Sequence, residues 1–170
     1  RADALITSAG VSAGDRDLVR DVLTELGAEQ LFWKVAMKPG GPTAFSMHGA
    51  VPIFSLPGNP VSTMVTFELF VRPALLRMMG HQRVARPFVK ATLREEARKK
   101  PGKANFLRVQ VTVNDGRLVA STAGDQHTGI LRTMVRANGL VLLPGETSIV
   151  PAGSEVDLMI LRDDVTMLER

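Results

Sequence analysis

An α/β layer followed by a small, mostly antiparallel β domain is the fold that the sequence predicts, on three observations. Strand-like apolar runs alternate with helical patterns over the first 80 or so residues. That order builds an α/β layer with ligand loops at the carboxyl ends of its strands. Past about residue 82 the texture changes to short β-type runs punctuated by turn residues. Within them Asn114-Asp115-Gly116 separates Val111-Thr112-Val113 from Leu118-Val119, a hairpin signal. The expected division is 1–82 and 83–170.

In chain order, Ala4-Leu5-Ile6 reads as a buried parallel strand. Leu18, Val19, Val22, Leu23 and Leu26 then share one helical face, with Asp15 placed to cap the helix and Gly27 to stop it. Further strands are expected from Leu31 to Lys38, from Thr43 to Met47 and from Val51 to Leu56. Asn59 caps a second helix with Pro60 at its first position, where a missing N–H is harmless. Met64, Val65, Phe67, Leu69, Phe70, Leu75 and Leu76 make that helix nearly all apolar and therefore buried. A kink is expected at Pro73 and an end at Gly80. In the second part the strands run from Phe88 to Leu93, Leu107 to Val113, Leu118 to Ser121, Gly139 to Leu143 and Val156 to Leu161, interrupted by one helix from about Thr128 to Ala137.

A composition of 45% hydrophobic and 22% charged residues is that of an ordinary folded domain. No apolar stretch approaches the roughly 20 residues of a membrane span, and no signal-peptide pattern opens the chain. A cytoplasmic protein is the default expectation. With no cysteine, any metal must sit on oxygen or on one of three histidines that lack ligand spacing, which favours a hard cation such as Mg²⁺. The net charge is +4, and between Arg83 and Lys103 eight cations (Arg83, Arg86, Lys90, Arg94, Arg98, Lys99, Lys100 and Lys103) face only Glu95 and Glu96. Nucleic-acid sites usually add aromatic platforms or a recognition helix, and this segment offers only Phe88, so no nucleic-acid partner is expected.

Three strand-to-loop transitions carry the chemistry. The first, from Leu5 through Asp17, supplies the hydroxyls of Thr7, Ser8 and Ser12, with Gly10 and Gly14 where backbone must approach a ligand closely. The second, from Lys34 to Pro42, supplies Lys34 and Lys38; four apart in an extended strand, both would face one side. The third, Pro57-Gly58-Asn59-Pro60 with Ser62, opens a helix whose first N–H groups suit phosphate. Taken singly, each equally describes a tight connection, a solvated lysine pair or a capped helix start. Asp15 and Asp17 by themselves fit a helix-dipole role as well as a cation site.

In combination and order, these segments resemble the C-terminal catalytic region of the molybdopterin molybdenumtransferase family, which includes the C-terminal part of gephyrin. Asn105-Phe106-Leu107-Arg108 and Gly124-Asp125-Gln126-His127-Thr128-Gly129 follow in the order of that family's small β domain, so the resemblance covers nearly the whole chain. It implies a partial three-layer molybdopterin-binding domain followed by a barrel-like β domain. The implied reaction inserts molybdenum from molybdate into adenylylated molybdopterin, with Mg²⁺-dependent release of AMP. Asp17, Lys34 and Lys38 would be catalytic, and Asp17 with Asp15 would hold Mg²⁺. Thr7, Ser8, Gly10, Ser12, Gly14, Pro57, Gly58, Asn59 and Ser62 would bind the pterin nucleotide. Arg108 and Thr128 would approach it across a homodimer interface.

The resemblance also implies a molybdopterin adenylyltransferase and recipient molybdoenzymes as partners. It implies that large N-terminal domains and an upstream acid are missing, so that this fragment alone is expected to be weak or inactive. Two positions depart from the family pattern: Ala9 stands where a second glycine is common, which suits a negative φ, and His127 replaces a small residue. The alternatives are adenylylation of molybdopterin, against which the β domain argues, and a non-catalytic binding or scaffold module.

Overall fold

A computed structural model of the chain describes residues 2–12, 14 and 17–162. In chain order its elements are β1 (Leu5–Ser8), α1 (Val19–Glu25), β2 (Glu29–Trp33), β3 (Met37–Lys38), β4 (Ala44–His48), β5 (Val51–Leu56), α2 (Pro60–Thr66), a π-helical segment (Phe67–Val71), α3 (Arg72–Met78), β6 (Phe88–Leu93), β7 (Ala97–Arg98), β8 (Ala104–Asn114), β9 (Arg117–Thr122), α4 (Leu131–Arg136), β10 (Gly139–Leu143), β11 (Ile149–Val150) and β12 (Glu155–Ile160). They form two compact units, one of Arg1–Val35 with Pro39–Val84, the other of Ala36–Lys38 with Ala85–Arg170. The mixed α/β architecture with a small barrel is the one expected.

The first unit is built on a sheet in the order β1-β5-β4-β2. β1 and β5 run parallel, while β4 pairs antiparallel with both β5 and β2. Its core gathers Phe54, Leu56 and Val71, with Phe45, Phe70, Ala74 and Leu75 packed against them. Phe45 links this core to the sheet edge, its ring 4.9 Å from Phe54 and 5.8 Å from Phe32, within the range of favourable ring pairing.

Several expectations change here. β1 is parallel but not buried: Leu5 and Ile6, which point to opposite faces of this edge strand, are 41% and 43% exposed, because neither face is covered there by the described residues. The apolar stripe of α1 forms, yet Leu18, Val22 and Leu26 remain exposed, with no described element packed over them. The run from Leu31 to Lys38 is not one strand. Lys34 adopts φ +68, a left-handed angle that ends extended backbone, and β3 belongs with its parallel partner β8 to the other unit. The second helix is only half buried, with Val61, Val65 and Val71 inside and Met64 and Phe67 exposed. Its expected kink is the π-helical segment that ends where Pro73 enters the first turn of α3. Pro73 lacks an N–H and its ring crowds the carbonyl four residues back, and a widened turn relieves both conflicts. The stop at Gly80 is a Schellman closure: the Gly80 N–H donates to Arg77 O (3.0 Å) and the His81 N–H to Leu76 O (3.0 Å). The same pair of bonds, from Gly27 to Thr24 and from Ala28 to Leu23, ends α1.

In the second unit the pairings β10-β12-β6-β9-β8 return from β8 to β10, closing a five-stranded barrel in which only β6 and β9 are parallel. Ala91, Leu93, Leu107, Val109, Val111, Ala120, Val141, Leu143, Val156 and Leu158 fill it. β8 and β9 are joined at Asp115 (φ +50) and Gly116 (φ +71), the doubly left-handed turn that matches hairpin twist. The expected helix is shorter, starting after Ile130, with Thr128 in the turn before it. Where the barrel closes, the Asn138 amide takes a strand's place against Val111: Oδ1 accepts from its N–H (2.7 Å) and Nδ2 donates to its carbonyl (3.1 Å).

Candidate functional site

Parallel pairing sets Ser8 opposite Leu56, so β1 and β5 end at the same edge and their following loops emerge side by side. This is the carboxyl end of the strands, where open α/β sheets bind ligands. The Ala9 N–H extends the ladder by donating to Leu56 O (3.0 Å). A Cβ at Gly58 would stand 2.9 Å from the Ala9 Cβ and 3.3 Å from its Cα, so the loops touch backbone to backbone. Ala9 itself does not keep the negative φ expected of it. It sits at φ +73, where an L side chain costs roughly 1–2 kcal/mol.

Gly10 follows at φ +74, and a Cβ there would come within 2.6 Å of Val19 Cγ2. The Val19 N–H donates to Gly10 O (3.1 Å), which closes the loop onto the start of α1. Inside it, the Asp17 N–H donates to Gly14 O (2.9 Å), and Asp17 Oδ2 accepts from the Gly14 N–H (3.1 Å). Asp17 therefore lies in the loop ahead of α1, not in the helix's first turn. Asp15 lies outside the described residues. Ser8 and Ser12 are exposed on this loop, whereas the Thr7 hydroxyl is buried without a hydrogen-bond partner among the described residues. Such an orphan costs about 1–3 kcal/mol unless a ligand or water satisfies it.

In the third segment Pro57 is buried, Gly58 and Asn59 are exposed, Asn59 holds the N-cap position of α2, and Ser62 is buried in its first turn. The Thr63 hydroxyl donates to Pro57 O (2.5 Å), with Asn59 O also within reach (3.0 Å), which ties the turn to the helix. Lys34 joins this unit through Trp33. Its ammonium lies 3.9 Å from the Trp33 ring centroid, and the indole N–H donates to Val11 O (3.0 Å) in the first loop. Lys38 is on β3, paired with Asn105 of β8 in the second unit. The two lysines therefore do not share one face of one strand.

Among the described residues there is no group of three or more histidines, aspartates or glutamates able to hold a metal ion. A Mg²⁺ site of the usual kind, with one or two carboxylates plus waters and substrate phosphates, suits the donor set that Asp17 offers; an all-protein cage does not.

Arg108 is not the solvated strand residue that its pattern suggests, being only 1% exposed. Its Nε donates to Thr133 Oγ1 (2.8 Å), and its Nη2 donates to the carbonyls of Asp125 and His127 (both 3.3 Å). Burial lowers the guanidinium's pKa, opposed by the Asp125 carboxylate. Gln126 adds a second clasp: its Oε1 accepts from the Arg108 N–H (2.9 Å) and its Nε2 donates to Arg108 O (3.1 Å). Arg108 thus shapes the loop that carries Thr128. Several cations of the basic segment are engaged within this unit. Lys90 pairs with Asp157 (2.8 Å), Arg98 with Glu96 (2.5 Å), and the Lys99 ammonium donates to the carbonyls of Lys103 and Gly145 (2.9 and 2.8 Å).

Residues 1–77 match a family model described as "Probable molybdopterin binding domain", and residues 90–161 match the "MoeA C-terminal region (domain IV)". A molybdopterin molybdenumtransferase of Staphylococcus aureus is 35% identical over 162 residues, covering 95% of this chain and 39% of that protein. The chain belongs to the molybdopterin molybdenumtransferase family. The transferase of Staphylococcus epidermidis is 32% identical over 158 residues, or 93% of this chain and 38% of that one. A crystal structure of the molybdopterin biosynthesis moea protein from Pyrococcus horikosii matches with a TM-score of 0.75 at 28% identity, covering 94% of this chain and 37% of that one. The chain thus spans about two fifths of the length of the curated relatives it matches.

Sequence reasoning missed Trp33, Thr63, Gln126, Thr133 and Asn138 as organisers of these loops. Trp33, Gln126 and Asn138 act by hydrogen bonds to backbone far along the chain and Thr133 by accepting from the distant Arg108 side chain, for which local spacing carries no signal; Thr63 bonds the nearby carbonyls of Pro57 and Asn59. Only Trp33, adjacent to Lys34 and the one tryptophan present, offered a hint.

Proposed function

We propose that this chain is part of an enzyme of molybdenum cofactor biosynthesis that inserts molybdenum from molybdate into adenylylated molybdopterin and releases AMP. The contact of Gly58 with Ala9 carries this reading, because it joins two loops of exposed backbone and hydroxyls at the carboxyl edge of a parallel strand pair. The N–H groups of the first loop and of the Gly58-Asn59 turn would hold the nucleotide's phosphates, with Ser8, Ser12 and Ser62 nearby and the Thr7 hydroxyl gaining a partner. Lys34 and Lys38 would contact the anionic substrate or the incoming molybdate. Asp17, with Asp15, would hold Mg²⁺, which when bound neutralises phosphate charge as AMP leaves. Thr128 would approach the nucleotide from the second subunit of a homodimer, on the loop that Arg108 supports. A cytoplasmic setting, an adenylyltransferase that supplies the substrate and molybdoenzymes that receive the product complete the reading.

With no cysteine in the chain, the contribution of these residues is positioning and charge neutralisation. The test uses the intact parent protein and measures AMP release from adenylylated molybdopterin with and without molybdate and Mg²⁺. Release is expected to need both, and Asp17→Asn is expected to slow it at least tenfold, about 1.4 kcal/mol of barrier. A folded parent that binds the nucleotide but releases no AMP would favour a scaffold role.

A further inference from the structure

Trp33 stands where three parts of the first unit converge. Its indole N–H donates to the carbonyl of Val11, a residue of the first loop that is 1% exposed. Its ring carries two cations: the Arg20 guanidinium from α1, 3.5 Å from the centroid, and the Lys34 ammonium, 3.9 Å away. Arg20 is held there from the side, its Nε donating to Gln30 Oε1 (2.7 Å) on β2. Lys34 sits at φ +68, an angle uncommon for lysine, with its N–H donating to Thr43 O (3.0 Å). Two like charges beside one ring repel each other, and among the described residues neither is paired with a carboxylate. The negative face of the indole is their common counter-charge. It leaves a surplus of positive potential next to the loop, suited to an anionic ligand.

We infer that Trp33 is a positioning residue of the nucleotide site, fixing the first loop through Val11 and the Lys34 ammonium through its ring. This rests on the reading that the loop receives adenylylated molybdopterin. Trp33 acts in part through Lys34, so the two substitutions are not fully additive.

The test is a double-mutant cycle in the intact parent, with KM, kcat and the calorimetric dissociation constant measured for adenylylated molybdopterin. Trp33→Leu is expected to raise KM about fivefold with kcat changed less than about twofold. In the Lys34→Met background only the Val11 link remains to be lost, so the same change is expected to raise KM by a smaller factor, about twofold. Trp33→Phe keeps the π face without the N–H donor, and is expected to fall between the parent and Trp33→Leu. Equal KM factors in both backgrounds, or Trp33→Phe as impaired as Trp33→Leu, would overturn the hold on Lys34 through the ring, whereas Trp33→Phe equal to the parent would overturn the hold on the loop through Val11; either result leaves the proposed reaction standing. A parent that binds the nucleotide without releasing AMP would sink the reaction instead, with the dissociation constants then judging Trp33. Absence of binding would overturn both.

Discussion

Replacing Arg108 by methionine is expected to destabilise the barrel unit by about 2–3 kcal/mol. Methionine approximates the volume but cannot donate, so the Thr133 hydroxyl and the carbonyls of Asp125 and His127 lose their shared donor in a place only 1% exposed. Arg108→Lys is expected to recover little. A single ammonium on a shorter stem cannot span Thr133 Oγ1 and two carbonyls as a planar guanidinium does. The urea midpoint, followed by circular dichroism at constant slope, checks both variants. A midpoint unchanged by either substitution would show that the loop from Gly124 to Ile130 holds its shape without Arg108.

Gly58→Ala is expected to act on the site itself, weakening binding of adenylylated molybdopterin to the parent at least tenfold and lowering stability by about 1–3 kcal/mol. The added Cβ would meet the Cβ and Cα of Ala9, backbone-bound atoms that cannot rotate away, so the two loops must part. Ala9→Gly removes the closer of those atoms and also relieves the strain at φ +73. The double variant Ala9→Gly/Gly58→Ala is therefore expected to regain part of both losses. Calorimetric binding and thermal unfolding of the three variants check this. A neutral Gly58→Ala, or a double variant no better than the single, would mean that the loops do not depend on that approach.

Most strands of the barrel were legible to within a residue, since β6 and β10 keep their expected ends and the Asn114-Asp115-Gly116 turn joins β8 to β9, although β8 starts three residues early at Ala104. Alternation and turn chemistry are local properties, and these segments obey them. The failures share a cause too. Spacing placed Lys34 and Lys38 on one strand, but a left-handed backbone angle at Lys34 is invisible to spacing and assigns them to different units. Apolar content placed Leu5, Ile6 and the face of α1 in a core, whereas burial depends on what packs above them. Arg108 is the opposite case. A charge in a strand reads as solvated, and only the distant Gln126 and Thr133 reveal why it is buried. Of the candidate site, the order and loop chemistry of the first and third segments were readable. Their contact through Gly58, and the link from Trp33 to Val11, required the fold.

A crystal structure of the intact parent with adenylylated molybdopterin tests the central claim most directly. The account predicts the nucleotide's phosphates within about 2.7–3.2 Å of N–H groups in the loop from Ser8 to Gly14 and in the Gly58-Asn59 turn, with the Thr7 hydroxyl satisfied. Phosphates bound elsewhere, for example along the basic segment from Arg94 to Lys103, with the two loops unengaged, would contradict it.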